Sequence, residues 1–270
     1  MRYWILISGF IFTGCTTLTF YQPTGLQEIP EIANTDPGKS IDAGMVPTIE
    51  YAGTQDASTR PFKFTPSAAA GRAHFARVRF PIKNEDIEFA GGLFSTGGLF
   101  GSFKYQFWGP KFGLGVEGDT SFAFVGQASI SAVNTRTGSG KGEESGGYPW
   151  EAKISGSQAG GALLFGWRLD RYILFYGGPY ASYTNVEATV NQGVSSNQLD
   201  RGSDNKLNDY FIRYGPSFGT LFKLSPRVSA QIEGTYLMTK IGQPITVDPE
   251  SHVAVIFRWD DFLPPPEKYY

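Results

Sequence analysis

The stretch that decides the fold is Tyr210–Leu224, YFIRYGPSFGTLFKL. Read at every second residue, it separates into two faces. Tyr210, Ile212, Tyr214, Pro216, Phe218, Thr220, Phe222 and Leu224 fall on one face, and Phe211, Arg213, Gly215, Ser217, Gly219, Leu221 and Lys223 on the other. The first face is apolar and aromatic and the second mostly small or charged, which is the period of an extended strand. Ser225-Pro226 marks a tight turn, after which Arg227–Thr239 repeats the pattern. Val228, Ala230, Ile232, Gly234, Tyr236 and Met238 oppose Ser229, Gln231, Glu233, Thr235, Leu237 and Thr239.

Both runs are far longer than the ~5–6 residues usual for a globular strand. They suit tilted strands crossing a hydrocarbon layer, which needs about 9–11 residues. Lipid offers no hydrogen bonds, so such strands must pair in a closed sheet. Phe112–Phe124 shows the same alternation, with Lys111, Gly113, Gly115, Glu117, Asp119, Ser121 and Ala123 on the second face.

The pattern predicts strands over roughly 71–81, 87–96, 98–108, 111–132, 151–169, 171–190, 209–224, 227–240 and 252–260. A tenth comes from 46–54. Ten strands, with eight as the alternative, follow from the even count of single-chain bacterial barrels. Tight turns are expected near Lys83–Asp86, Gly109–Lys111, Leu169–Arg171 and Ser225–Arg227. Long polar connections are expected at Asn134–Trp150, Gln192–Asn208 and Gly242–Ser251. Short turns on one side and long loops on the other are the outer-membrane pattern. The expected fold is all-β: a closed antiparallel up-and-down transmembrane β-barrel over 46–262.

Composition agrees with a chain of two faces. Of 270 residues, 34 are Gly and 15% are aromatic, while charged residues reach only 18% with a net charge of -2. That balance argues against nucleic-acid binding and against a charge-rich disordered chain.

Residues 1–14 read as a lipoprotein signal peptide: Arg2 precedes a ten-residue apolar run, Tyr3–Phe12, too short to span a bilayer. Phe12-Thr13-Gly14-Cys15 resembles the bacterial lipobox, which implies cleavage before Cys15 and acylation there. Thr16 in the next position implies onward sorting to the outer membrane. Cys15 is the one cysteine, so an intramolecular disulfide is excluded. Residues 15–45 read as a lipidated N-terminus and flexible linker, and 263–270 as a tail.

The organisation resembles small bacterial outer-membrane β-barrels of the OmpA-like and OmpW-like kind. The carriers are the hairpin alternation, the Gly-aromatic strand Tyr214-Gly215-Pro216-Ser217-Phe218-Gly219, and Val255, Phe257 and Trp259 of the last strand. Those three resemble the signal read by the barrel-assembly machinery, although its usual glycine is absent and residues follow Asp260. The resemblance implies partners: outer-membrane lipid, the barrel-assembly and lipoprotein-sorting machineries, and no nucleic acid.

The lumen-facing parity collects Arg77, Arg79, Lys104, Arg168, Arg213, Lys223 and Arg258 with Glu88, Glu117, Asp119 and Glu233. Buried charges are costly unless paired, so a network filling a small barrel is expected. The alternative is a narrow polar pore whose basic excess favours anions. Trp167, Tyr214, Tyr236 and Trp259 are expected on the outside, at the membrane interface.

Gly113–Gly118 spells GxGxxG, but no strand-to-helix turn supports a dinucleotide site. Asp248, Ser251 and His252 lie close in sequence, yet neighbouring strand residues face opposite ways; His74 is the only other histidine. The loop Asp200–Asp209 carries oxygen ligands without EF-hand spacing. The expected function is therefore a non-enzymatic outer-membrane barrel lipoprotein with a structural or surface-interaction role, with no cofactor or metal. A narrow channel or carrier for small or hydrophobic solutes is the alternative. A lipid hydrolase or acyltransferase and a periplasmic tethered β-protein stand behind it.

Overall fold

The sheet closes where the last strand meets an early one. In the computed structural model, Val255 pairs with Met45 and Asp260 with Ser40, joining the two ends of an antiparallel ladder into a ring. The structure describes residues 16–23, 28–32, 40–55, 63–82, 86–112, 114–131, 134–139, 149–192, 205–225, 227–241 and 245–260. Their strands are β1 (Thr16–Pro23), β2 (Ser40–Gln55), β3 (Lys63–Pro81), β4 (Ile87–Phe94), β5 (Gly98–Trp108) and β6 (Thr120–Ile130). Then come β7 (Asn134–Ser139), β8 (Pro149–Arg168), β9 (Ile173–Gln192), β10 (Asn205–Lys223), β11 (Val228–Ile241) and β12 (Ile245–Asp260).

Ten of these form the ring: β2 to β6 and β8 to β12, each beside its sequence neighbour, with β2 pairing both β3 and β12. It is a closed ten-strand, antiparallel, up-and-down barrel. β7 pairs with the far part of β8, extending the line of β6 after the chain breaks from the ladder. β1 lies outside the ring order. It runs antiparallel to the upper part of β2, from Thr16 opposite Gln55 to Pro23 opposite Thr48, and also approaches β8 across the ring.

The two-residue period sorts side chains as the sequence predicts. Along β10, Phe211, Arg213, Ser217 and Leu221 are buried inside, whereas Tyr210, Ile212, Tyr214 and Phe218 are exposed outside. β12 places His252, Ala254, Ile256 and Arg258 inward and Val253, Val255, Phe257 and Trp259 outward. Ser251 is accordingly exposed while His252 is buried, so the two cannot act on one substrate face. His74 is exposed, its backbone N–H donating to Ser95 Oγ at 3.0 Å.

Several expected boundaries move. The wall begins at Ser40 and not at 46, and part of the segment read as a linker is built into the molecule: β1 is a strand, and residues 28–32 are buried. The expected strand over 111–132 starts only at Thr120. Residues 109–112 and 114–119 instead belong to a connection at the turn end. Gly109 and Gly118 there take φ of 103° and 83°, which no strand allows, and Asp119 accepts the Val116 N–H at 2.8 Å. The alternation in this stretch was a coincidence of small residues.

At the loop end the strands outgrow the predicted connections. β7 and the start of β8 occupy part of 134–150, β10 begins at Asn205, and β12 at Ile245 behind an irregularity between Leu237 and Thr239. The Asp200–Asp209 stretch is thereby partly strand, its first residues lying outside the described ones. The β4–β5 hairpin is the exception at this end, closing tightly through Ser95–Gly97 with Gly97 at φ 84°.

Gly178 marks the closest backbone approach, since a Cβ there would lie 1.8 Å from the Leu163 carbonyl oxygen. We expect Gly178→Ala to destabilise the barrel by about 1–3 kcal/mol through a forced shift of β9 against β8. Gly118→Ala meets open space and should cost only the strain of its φ, roughly 1–2 kcal/mol. Urea unfolding of both variants in detergent checks the pair; equal midpoints for Gly178→Ala and the parent would contradict the packing.

Candidate functional site

Residues 28–32, Glu-Ile-Pro-Glu-Ile, lie inside the turn end of the barrel. They make no strand ladder with the wall, and they are held by inward residues of β3, β5, β8, β9 and β10. Neither regular period fits the segment, and Pro30 removes a donor, so only tertiary contacts fix it.

Glu28 is the first anchor. Arg77 donates from Nη1 to its Oε1 at 2.8 Å, Arg79 from Nη1 to its Oε2 at 2.5 Å, and Ser102 from Oγ to Oε1 at 3.0 Å. Lys104 Nζ stands 3.6 Å from Oε2. Glu31 is the second anchor. Arg168 takes its carboxylate in a two-point grip, from Nε at 2.8 Å and from Nη2. Lys104 donates to the Glu31 backbone carbonyl at 3.0 Å.

The backbone is fixed as well. Gln106 Oε1 accepts the Ile32 N–H at 2.8 Å, while its amide donates to the Trp108 and Pro110 carbonyls. The Phe112 N–H donates to the Ile32 carbonyl at 2.7 Å. Ile29 packs among Phe112, Leu174, Tyr176 and Leu221, and Pro30 fills the space left by the absent side chain of Gly166.

The wall charges also bind one another. Asp42 Oδ2 accepts from Arg77 Nε at 2.6 Å and from Arg79 Nε at 2.5 Å. Glu88 Oε1 accepts from Arg79 Nη1 at 2.6 Å and lies 2.7 Å from Lys104 Nζ. Arg258 lies 3.8 Å from both Asp42 and Glu88 and stacks over the Phe112 ring at 4.6 Å. All of these side chains are at most 4% exposed.

Of the predicted charge network, Arg77, Arg79, Glu88, Lys104, Arg168 and Arg258 are therefore gathered at this site. Arg213 and Glu233 are buried elsewhere in the lumen, where Glu233 accepts from Tyr176, Ser217 and Gln231. Lys223 is half-buried at the turn end. Glu117 and Asp119 leave the network: the connection that replaces their strand puts Glu117 in the open and turns Asp119 onto its own backbone. Sequence reading missed Glu28, Glu31 and Asp42. Asp42 carried a usable signal, since Asp42 and Ala43 continue the alternation of β2; Glu28 and Glu31 carried none.

Trp167, Tyr214, Tyr236 and Trp259 are all exposed on the outer face, Trp167 stacked on Phe175 and Trp259 beside Phe257. The two Trp sit next to the turn ends of β8 and β12, and the two Tyr stand farther up the wall. Cys15, the signal segment 1–14 and the tail 263–270 lie outside the described residues.

The two anchors respond to acid in opposite ways. Burial pushes both carboxyls up. At Glu28 the charges of Arg77, Arg79 and Lys104 outweigh burial and hold the group below the ordinary 4.5, whereas at Glu31 Arg168 does not offset it and the group lies above 4.5. Glu28 thus favours docking above pH 4.5 and loses that contribution as pH falls through its lowered value. Glu31 favours docking below pH 4.5 and loses its contribution as pH rises through its raised value.

No family model matches the chain, and no curated protein matches it. Among solved structures it is similar to Ail, the attachment invasion locus protein of Yersinia pestis, in complex with the heparin analogue sucrose octasulfate. The identity is 12% and the TM-score 0.33, over 83% of this chain and 97% of that one. It is also similar to the copper transporter OprC, at 11% identity and a TM-score of 0.35, over 91% of this chain and 45% of that one.

Glu28→Ala should cost about 3–5 kcal/mol of stability, because it leaves three buried cations short of a carboxylate. Protease protection of residues 28–32 checks the titration. In the parent it should rise as pH falls toward 4.5 through the raised Glu31 value, whereas Glu31→Gln should lack that rise and lose protection as pH falls further, through the lowered Glu28 value. Protection in that variant that rises in acid would contradict the assignment.

Proposed function

We propose that the chain is a non-enzymatic bacterial outer-membrane β-barrel lipoprotein, closed at its turn end by its own N-terminal segment, with a structural or surface-interaction role. The observation that carries this reading is the inversion of polarity across the wall. Side chains turned outward are apolar over β4 to β6 and β8 to β12, among them Phe89, Leu93, Phe107, Phe122, Leu163, Phe218, Ile232 and Phe257, all exposed. Those turned inward include Arg77, Arg79, Lys104, Arg168 and Arg213, all buried. Water on the outside would reverse that arrangement; lipid accounts for it.

The dimensions support the same reading. The outward apolar run of β10 from Tyr210 to Phe222 is twelve steps. At about 3.3 Å per residue and a tilt near 40°, it rises roughly 30 Å, close to the ~25 Å apolar band of such barrels. Trp167 and Trp259, at the turn ends of their strands, would meet the headgroup region, whereas Tyr214 and Tyr236 lie within the band; Val255, Phe257 and Trp259 would be the signal for the barrel-assembly machinery.

Acylation of Cys15 and its handling by the lipoprotein-sorting machinery complete the proposal. The register of β1 sets the neighbouring Thr16 at the loop end, opposite Gln55. The chain then descends toward the turn end at 28–32, so a lipid on Cys15 would belong to the side carrying the loops.

Unboiled protein should migrate apart from boiled protein on a denaturing gel; co-migration would refute the barrel. Ile232→Arg, in the outer band, should cost about 2–4 kcal/mol in lipid, and no loss in refolding into vesicles would refute the lipid-facing wall. Metabolic lipid label should vanish in Cys15→Ala, and retained label would refute the anchor.

A further inference from the structure

The outer face of the wall is dented near its loop end, over β6, β8 and β9. We propose that this dent is a binding site for a membrane lipid whose headgroup bears a primary ammonium. The proposal rests on the outer-membrane barrel reading above.

The dent has a local cause. Ile130 faces Ser157 and Asn134 faces Ile154, so the β6–β7 line carries one residue more than β8 between those two pairs. Such a bulge interrupts the ladder and bends the wall. Ser131 bridges the break: its N–H donates to the Gly156 carbonyl at 2.9 Å, and its Oγ accepts the Gly156 N–H at 2.9 Å. Beside this break lies a hollow of about 240 Å³, lined by Ile130, Ser131, Ser155, Ser157, Asn185 and Glu187.

Position selects the class of occupant. Going down β8, the outward residues change from Ser155 and Ser157 to Ala159, Gly161, Leu163 and Phe165. On β9 they change from Glu187 and Asn185 to Tyr183 and Ala181. The polar-to-apolar boundary of the wall therefore passes along the lower edge of the hollow, at the level where lipid headgroups give way to chains. Below that edge the wall is smooth. Ala128, Ala159 and Ala181 project little, and the Phe124 ring lies 3.7 Å from the positions a Cβ would take at Gly126 and Gly161. A chain attached to a headgroup in the hollow can run down this bed in van der Waals contact.

Chemistry selects the headgroup. Ser157 faces Asn185 and Ser155 faces Glu187 across the β8–β9 ladder, so the four side chains share one small patch. Glu187 Oε1 accepts from Asn185 Nδ2 at 3.4 Å, and the serine hydroxyls add further acceptors. Among the described residues no cation lines the hollow; Lys153 stands one outward position higher on β8. Phosphate is therefore poorly served, whereas an ammonium brings three N–H donors and the charge opposite to that of Glu187. At the edge of a low-dielectric layer that pairing is stronger than in bulk water. A trimethylated ammonium carries the same charge without a donor, which separates hydrogen bonding from charge.

Native mass spectrometry of the full chain, refolded in detergent, tests this. Phosphatidylethanolamine and phosphatidylcholine with identical acyl chains are offered in equal amounts. The parent should retain phosphatidylethanolamine at least about tenfold better, the scale of one charge-assisted hydrogen bond. Glu187→Gln, a change at an exposed position, should abolish that preference. Ser155→Leu, which fills the hollow, should release the lipid while the barrel keeps its heat-dependent migration.

Equal retention of the two lipids by the parent overturns the proposal, as does an unchanged preference in Glu187→Gln or undiminished retention by Ser155→Leu. Tighter retention of phosphatidylglycerol, or of a neutral sugar-headed lipid, overturns the choice of headgroup and the proposal with it. Failure of the parent to show heat-dependent migration would instead remove the barrel reading on which it rests.

Discussion

Arg79 holds carboxylates from three separate parts of the chain: Asp42 of β2, Glu88 of β4 and Glu28 of the inserted segment. The rest of the structure depends on that kind of bond. A closed sheet with an apolar outside must put its polar residues inside, and each charge buried there needs a partner. Among the described residues the wall contributes Asp42 and Glu88 to the cations at its turn end. The N-terminal segment adds Glu28 and Glu31, so the polarity of the wall and the path of the N-terminus are one constraint seen twice. Buried ion pairs of this kind are weak sources of net stability but costly to break singly, which favours one arrangement over its neighbours.

The wall was legible in the sequence and the plug was not. Tyr210–Leu224 declares its two faces because each face meets one kind of surroundings for the whole length of the strand. Arg77, Arg79 and Lys104 could be assigned to the lumen from parity alone. Glu28 and Glu31 occupy a stretch with no period, and the groups that hold them lie between 49 and 137 residues away. Local pattern carries no trace of such contacts. Glu117 and Asp119 show the converse error: small residues in 113–119 imitate alternation, and only the positive φ of Gly109 and Gly118 reveals a turn. The strand count survived both, because the supply of a strand from the region of 46–54 was demanded by closure and found in β2.

The filled lumen also bears on what such a barrel does. Inward side chains also include the buried apolar cluster of Val125, Ala162, Leu164, Tyr180 and Leu237. Here residues 28–32 obstruct the turn end with Ile29 and Pro30 packed against the wall, and β1 reaches across the loop end toward β8. The surface that remains available is the rim, where β8, β9 and β10 rise well beyond the short β4–β5 hairpin.

The central claim is that residues 28–32 sit inside the ring, and a cross-link measures it directly. Pro30 lies against Gly166 of β8, with its Cγ 2.6 Å from the position a Cβ would take there. With Cys15 replaced by Ala, Pro30→Cys and Gly166→Cys should form a disulfide under mild oxidation of the refolded barrel, seen as a shift on a non-reducing gel. Two thiols that stay reduced in a folded barrel and alkylate freely would contradict the account.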